Sequence, residues 1–308
     1  TAYLRCHYPV EFMAALLTSV LGNTNKISEY SYACKKLGIK ILPPDINYGE
    51  GAFSVDHGNI RYGLTAIKSL GRPVIEAIIR ERNLNGPYRD FKDLVERLSS
   101  KEINKRTVEN LIKSGALDCF HVTRKQQMIV YASVIDSIQK ERKNEIAGQM
   151  SLMDLLGEED QQSFQISYPD VGEYEKEQKL AMEKEVLGIY VSGHPLEDDI
   201  ERLERSVTAH TSDFVIDEET GKTKIHDRES CIIGGLISEM SVKLTKKNQN
   251  MAFITLEDLR GTVEVVVFPR QYATYQSLLR EDAKVFIKGT TQISEEESKV
   301  ICNQIISF

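Results

Sequence analysis

The hydrophobic period of this chain changes about two-thirds of the way along, and that change limits the folds open to it. After residue 231 apolar side chains alternate with a period of two. Val263, Val265 and Val267 share one strand face and Glu264, Val266 and Phe268 the other. Ala252, Ile254 and Leu256 likewise oppose Met251, Phe253 and Thr255. The alternation predicts strands over 231–245, 251–259 and 262–268, the last two forming a hairpin around Arg260-Gly261. A helix follows from Pro269 to about Arg280, and strands over 283–293 and 299–306 flank Glu295-Glu296-Glu297-Ser298. Three strands, one helix and two strands is the element order of a five-stranded OB barrel.

Upstream the spacing is helical. Val10, Met13, Ala14, Leu17 and Leu21 predict a helix over 10–21, and Ile27, Tyr30, Cys34 and Leu37 a second one stopped by Gly38. Pro43-Pro44-Asp45 breaks the chain. Short helices and tight turns fill 60–120, a longer helix falls within 126–146, and a polar, acidic stretch covers 157–179. Helical character returns at 180–205, interrupted by Ser192-Gly193-His194-Pro195. The expected class is α+β and multidomain, with divisions at 1–55, 56–125, 126–225 and 226–308.

Charge is divided along the same lines. Residues 1–125 hold 19 Lys/Arg against 13 Asp/Glu, 126–230 hold 11 against 24, and 231–308 hold 9 against 9. The basic first third therefore invites a polyanion, although the whole chain carries −7. No apolar run reaches the ~20 residues of a membrane span. The cysteines at 6, 34, 119, 231 and 302 form no CxxC pair, which argues against a disulfide scaffold or zinc site and for a reducing cytoplasm. The opening Thr1-Ala2-Tyr3-Leu4 lacks Met and a basic leader, so we expect no signal peptide and a piece of a longer chain.

Two stretches carry candidate binding chemistry. In the first, a helix ending near Lys68 meets the turn Ser69-Leu70-Gly71, and a new helix starts near Pro73. Gly71 permits positive φ, and the unpaired N–H groups of the new helix, with Lys68 and Arg72 beside them, suit a phosphate. A second corner places Lys105 and Arg106 at a helix start after the 91–98 helix. The second stretch is the barrel, where Phe253 would offer a ring to a base beside Lys243, Lys246, Lys247 and Asn248. Packed helical corners and a plain protein-docking barrel are the competing readings. No nucleotide-loop, dinucleotide, zinc-protease or serine-hydrolase motif occurs, and the acidic clusters 158–160, 197–199 and 217–219 lie in polar or turn contexts. His194 reads as part of a structural turn.

Against this background the residues resemble one family, the alpha subunit of bacterial DNA polymerase III, and do so over nearly the whole chain. The matching segments are Tyr8-Pro9-Val10-Glu11-Phe12-Met13-Ala14-Ala15, Leu42-Pro43-Pro44-Asp45-Ile46-Asn47, and Ile60-Arg61-Tyr62-Gly63-Leu64 leading into Ala66-Ile67-Lys68. Asn104-Lys105-Arg106, Ser114-Gly115-Ala116-Leu117-Asp118, Glu183-Lys184-Glu185-Val186-Leu187-Gly188 and Ser192-Gly193-His194-Pro195-Leu196 continue it. The resemblance implies the end of a fingers region (1–55), a tandem helix-hairpin-helix domain holding double-stranded DNA (56–125), a connector with a clamp-binding segment (126–225) and an OB domain for single-stranded template (226–308). It places the metal-binding palm upstream, so no catalytic or metal residue and no cofactor is expected within this segment, with Mg2+ serving the parent polymerase. Where the hairpin motif prefers two glycines, this chain has Ser69 and Gly71.

The same resemblance identifies Gln149, Ser151, Leu152 and Met153 with a peptide that binds the sliding clamp (beta), although Ser151 to Asp154 also reads as a helix-capping box. Other replisome subunits are possible partners, no membrane is expected, and the location implied is cytoplasmic, at the nucleoid. The alternative is a non-catalytic replisome scaffold with little direct DNA contact.

Overall fold

The computed structural model of the chain describes residues 2–98, 103–146, 166–216, 222–294 and 297–308. They form two compact units, Thr1–Ser192 and Gly193–Phe308.

The first unit is mainly helical. Helices α1 (Ala2–His7), α2 (Pro9–Ser19) and α3 (Thr24–Lys36) lead to a small sheet of β1 (Ile41–Leu42), β2 (Ser54–Asp56) and β3 (Asn59–Arg61) in the order β1-β3-β2. Then come α4 (Arg72–Asn85), α5 (Phe91–Arg97), α6 (Lys105–Ser114), α7 (Arg124–Ile146) and α8 (Lys176–Leu187). An apolar cluster joins α2 to α8 with β1 and β3, from Leu17 and Ile27 through Ile78, Leu94 and Leu111 to Ile135 and Leu187. Side-chain caps set the starts of α3, α5 and α6: Asn23 accepts from the Lys26 N–H, Asp90 from the Asp93 N–H and Asn104 from the Thr107 N–H. Gly115 ends α6 at φ +81, a left-handed conformation that glycine adopts without strain.

The N-terminal residue of α7, Arg124, is the largest of the fully buried side chains, at 1% exposure. Its guanidinium lies 2.8 Å from Asp118, donates to the Lys113 carbonyl at 3.2 Å, and sits 3.0 Å from Glu183 of α8. Glu183 itself is 0% exposed, and its second oxygen accepts from the N–H groups of Val191 and Ser192. Burial opposes the charge on Arg124, but its hydrogen bonds to Asp118 and the nearby Glu183 raise its pKa. A Cβ on Gly115 would stand 2.3 Å from Arg124 Nη2, so the absence of a side chain there is what admits the guanidinium.

The second unit begins with a turn and the helix α9 (Ile200–Ser206). In the turn, the Leu196 N–H donates to His194 Nδ1 at 3.1 Å, which gives His194 the structural part expected of it. Strands β4 (Ser230–Leu244), β5 (Asn250–Asp258), β6 (Gly261–Val267), β7 (Lys284–Ile293) and β8 (Ser298–Ser307) close a barrel in the order β4-β5-β6-β8-β7. Within the barrel, among the described residues, only β6 and β8 pair in parallel. Ala252, Ile254, Leu256, Val263, Val265 and Val267 all point into the core, as the alternation requires. Helix α10 (Pro269–Tyr275) lies between β6 and β7 and is shorter than the sequence predicts, ending five residues before Arg280. The chain continues there as turns that bury Leu279 against the barrel.

Removing one partner of a buried ion pair strands the other charge. Arg124→Ala should therefore lower the unfolding free energy by about 3–5 kcal/mol in a urea titration. A loss below about 1 kcal/mol, the worth of a surface pair, would contradict the structural role given to it.

Candidate nucleic-acid interface

The first hairpin loop runs from the 3-10 turn Leu64–Ala66 to α4. Its left-handed residue is Ser69, at φ +62, whereas Gly71 is the N-cap of α4 at φ −72. The expectation that Gly71 would carry the positive φ is thus corrected: the chain reverses at Ser69, and Leu70 turns inward at 7% exposure. Neither conformation nor packing demands a glycine at 71. Apart from its chain neighbours, a Cβ there would meet only Pro73 Cδ within 4 Å, at 3.7 Å. Helix α4 has no side-chain cap, and its first turn contains no acid. The start of such a helix attracts negative charge.

The start of α6 comes to the same place. Arg106 Nη2 donates to Ser69 Oγ at 3.3 Å, and Asn110 Nδ2, one turn along α6, donates to the Lys68 carbonyl at 2.8 Å. Lys68, Ser69, Gly71, Arg72, Lys105 and Arg106 are all exposed. Lys105 pairs with Asp136 of α7 at 2.7 Å, while among the described residues Lys68 and Arg72 have no carboxylate partner. The structure therefore brings Lys68, Ser69 and Arg106 into direct proximity, with Arg72 at the adjoining helix start and Lys105 partly engaged by Asp136. Asn110 was not singled out from the sequence. Its signal is the four-residue spacing from Arg106, which puts both side chains on one helix face.

The barrel holds its candidate residues on the outer side. Phe253 pairs with Ser241 of β4 and Val266 of β6, and its ring faces away from the core. Lys243 Nζ stands 4.8 Å from the ring centroid, so one cation already sits over the proposed stacking surface. Lys246, Lys247 and Asn248 are exposed in the β4–β5 loop, which is closed by bonds from the Thr245 N–H to the Gln249 carbonyl and from the Asn248 N–H to the Thr245 carbonyl. Asn248 takes the left-handed position at φ +57. Val242 and Leu244, on the same strand, are also exposed.

The remaining candidates fall elsewhere. Gln149, Ser151, Leu152 and Met153, like the clusters at 158–160 and 217–219, lie outside the described residues. The Glu197–Asp199 stretch forms a 3-10 turn whose Asp199 binds Lys284 at 2.8 Å. Burial pushes the thiols of Cys34 and Cys231 up to about 11 and those of Cys119 and Cys302 up to about 12, so these four are neutral near pH 7. Among the described residues no helix is long and apolar enough to cross a membrane.

Two family models match the parts of the chain just described. One, the helix-hairpin-helix motif, covers residues 38–127, and the other, the OB-fold nucleic acid binding domain, covers 232–307. Among curated proteins the chain is 34% identical over 311 residues to DNA polymerase III subunit alpha of Mycobacterium tuberculosis, a match covering 99% of this chain and 25% of that subunit. The chain is a relative of the bacterial DNA polymerase III alpha subunit. The Borreliella burgdorferi subunit is 35% identical over 312 residues, 100% of this chain and 26% of its own length. The Escherichia coli K12 subunit is 35% identical over 296 residues, 96% of this chain and 25% of its own. The chain thus spans about a quarter of the length of these alpha subunits, and the order of its two domains fits a C-terminal portion.

Because Gly71 has room for a methyl group, Gly71→Ala should cost less than about 1 kcal/mol of stability, a weaker N-cap being its only structural penalty. A methyl group at that point would, however, stand in the path of an approaching phosphate. Duplex affinity should fall while the melting temperature stays near the parent value; an unchanged affinity would show that nothing approaches the loop there.

Proposed function

We propose that this chain is a DNA-holding portion of a replicative DNA polymerase. The hairpin unit grips duplex DNA through its backbone, without sequence preference, and the barrel contacts the single-stranded template. The observation that carries this reading is the convergence of the 68–72 loop and the start of α6 into one exposed cationic surface. It lies in a chain whose other domain is a closed OB barrel and whose relatives are polymerase alpha subunits. Lys68, Arg72, Lys105 and Arg106 would neutralise phosphates, and Gly71 would allow close backbone approach. On the barrel, Phe253 and Lys243 would present a joint stacking and cationic surface to a base, with Lys246, Lys247 and Asn248 along the backbone path. Nucleotide transfer, with its Mg2+, would belong to a palm domain outside this sequence. Gln149, Ser151, Leu152 and Met153 would tether the polymerase to its sliding clamp.

Exposed Val242 and Leu244 beside Lys243 favour a second reading, in which the barrel docks a protein rather than a strand. That would make this end of the molecule a replisome scaffold.

Backbone binding releases counterions, so log affinity for duplex should fall with log salt at a slope of about −0.9 per phosphate neutralised. Substituting Lys68, Arg72, Lys105 and Arg106 together by Ala should flatten that slope; an unchanged slope would remove the hairpin unit from the duplex reading. For the tether, a peptide of residues 145–158 should bind the clamp and lose that binding on Gln149→Ala or Leu152→Ala. Equal binding by all three peptides would discard it.

A further inference from the structure

We infer that Asn110 is a positioning residue for duplex binding: it holds the 68–71 loop in its binding conformation before DNA arrives. This deepens the duplex reading above and rests on it. The inference comes from the main chain of Lys68, which is held from two sides. Its N–H donates to the Val186 carbonyl of α8 at 2.8 Å, and its carbonyl accepts from Asn110 Nδ2 at 2.8 Å. Asn110 is 8% exposed, on the buried face of α6 with Val108, Leu111 and Ile112 around it in sequence. An asparagine so placed must satisfy its amide within the protein, and here the amide is spent on the loop that carries the cationic side chains.

The loop needs such support. Ser69 has φ +62, a conformation that costs a non-glycine residue energy and persists only where its surroundings over-determine it. Two groups from α6 supply that constraint: Asn110 fixes the residue before Ser69, and Arg106 reaches Ser69 Oγ from one turn earlier. Without the Asn110 donor the Lys68 carbonyl loses its partner, the loop gains alternative conformations, and DNA must order it on binding. That ordering would appear as weaker affinity. Asn110 touches no phosphate in this account, so the number of phosphates neutralised, and with it the salt slope, stays as it is.

Asn110→Leu keeps the approximate size of the side chain, adds no charge and removes the donor. In a fluorescence anisotropy titration of the full chain with a DNA duplex, it should raise Kd about tenfold, the scale of one lost buried hydrogen bond, with the salt slope of the parent. A folded Asn110→Leu chain with a Kd within twofold of the parent overturns the inference, and so does a flattened slope, which would make Asn110 a phosphate contact. Hydrogen exchange of the parent chain supplies a test that needs no variant. The Leu70 amide, which donates to the Ile67 carbonyl across the loop at 3.3 Å, should be protected in the free protein and change little when duplex is added. Protection that appears only with duplex overturns the inference. The two readings fail differently: if Lys68→Ala with Arg106→Ala loses affinity while Asn110→Leu does not, only the role of Asn110 is lost. If neither variant changes binding, the duplex reading falls and this inference falls with it.

Discussion

A guanidinium almost without access to water meets a carboxylate with none where α6, α7 and α8 come together. Taking both charges from water is costly, and the site offsets that cost by surrounding them with partners. Arg124 has Asp118 and the Lys113 carbonyl besides Glu183, and Glu183 accepts from two backbone N–H groups of the segment after α8. The contact between Arg124 and Glu183 is a close approach of charges more than an aligned hydrogen bond, and its main effect is to fix where α8 lies. Gly115 belongs to the same arrangement, since any side chain there would displace the guanidinium.

The position of α8 then reaches the 68–71 loop by a short path. Val186 is three residues beyond Glu183, and its carbonyl receives the Lys68 N–H. Two residues further on, Gly188 passes so close to Thr24 that a Cβ would lie 2.4 Å from its Cγ2, which seats the end of α8 against the start of α3. A buried charge pair thus sets a helix, the helix sets one side of a loop, and α6 sets the other through Asn110 and Arg106. The cations that we assign to phosphate binding thus stand on a backbone ordered by the Val186 carbonyl and Asn110, to which we assign no DNA contact, together with Arg106, to which we do. Rigid support of this kind lowers the entropy lost on binding.

Much of the barrel was legible because its side chains obey a strict period: an alternation such as Val263, Val265, Val267 admits one inward face, and the strand ends follow from turn residues. The helical unit was legible in outline, since α2 and α3 begin and end within three residues of the predicted spans and α7 covers the stretch expected to contain a helix. What escaped is of another kind. The place of positive φ fell on Ser69 and not on Gly71, because side-chain bonds from a helix distant in sequence overrode the local preference for glycine. Arg124 looked like one charge among many in a basic stretch, and its burial depends on Glu183, nearly sixty residues later. Periodicity sees neighbours along one element; such pairings between elements appear only in three dimensions. The cation above Phe253 is similar, because strand register brings Met251 opposite Lys243 and leaves the contact to a diagonal neighbour.

Division of DNA between the hairpin surface and the barrel surface, as we propose, is tested most directly by lysine-modification footprinting on a primer–template, a duplex with a single-stranded overhang. The duplex should shield Lys68 and Lys105 and the overhang Lys246 and Lys247, each effect disappearing when the corresponding part of the DNA is omitted. Equal reactivity of all four lysines with and without DNA, or shielding of the barrel lysines by blunt duplex alone, would contradict it.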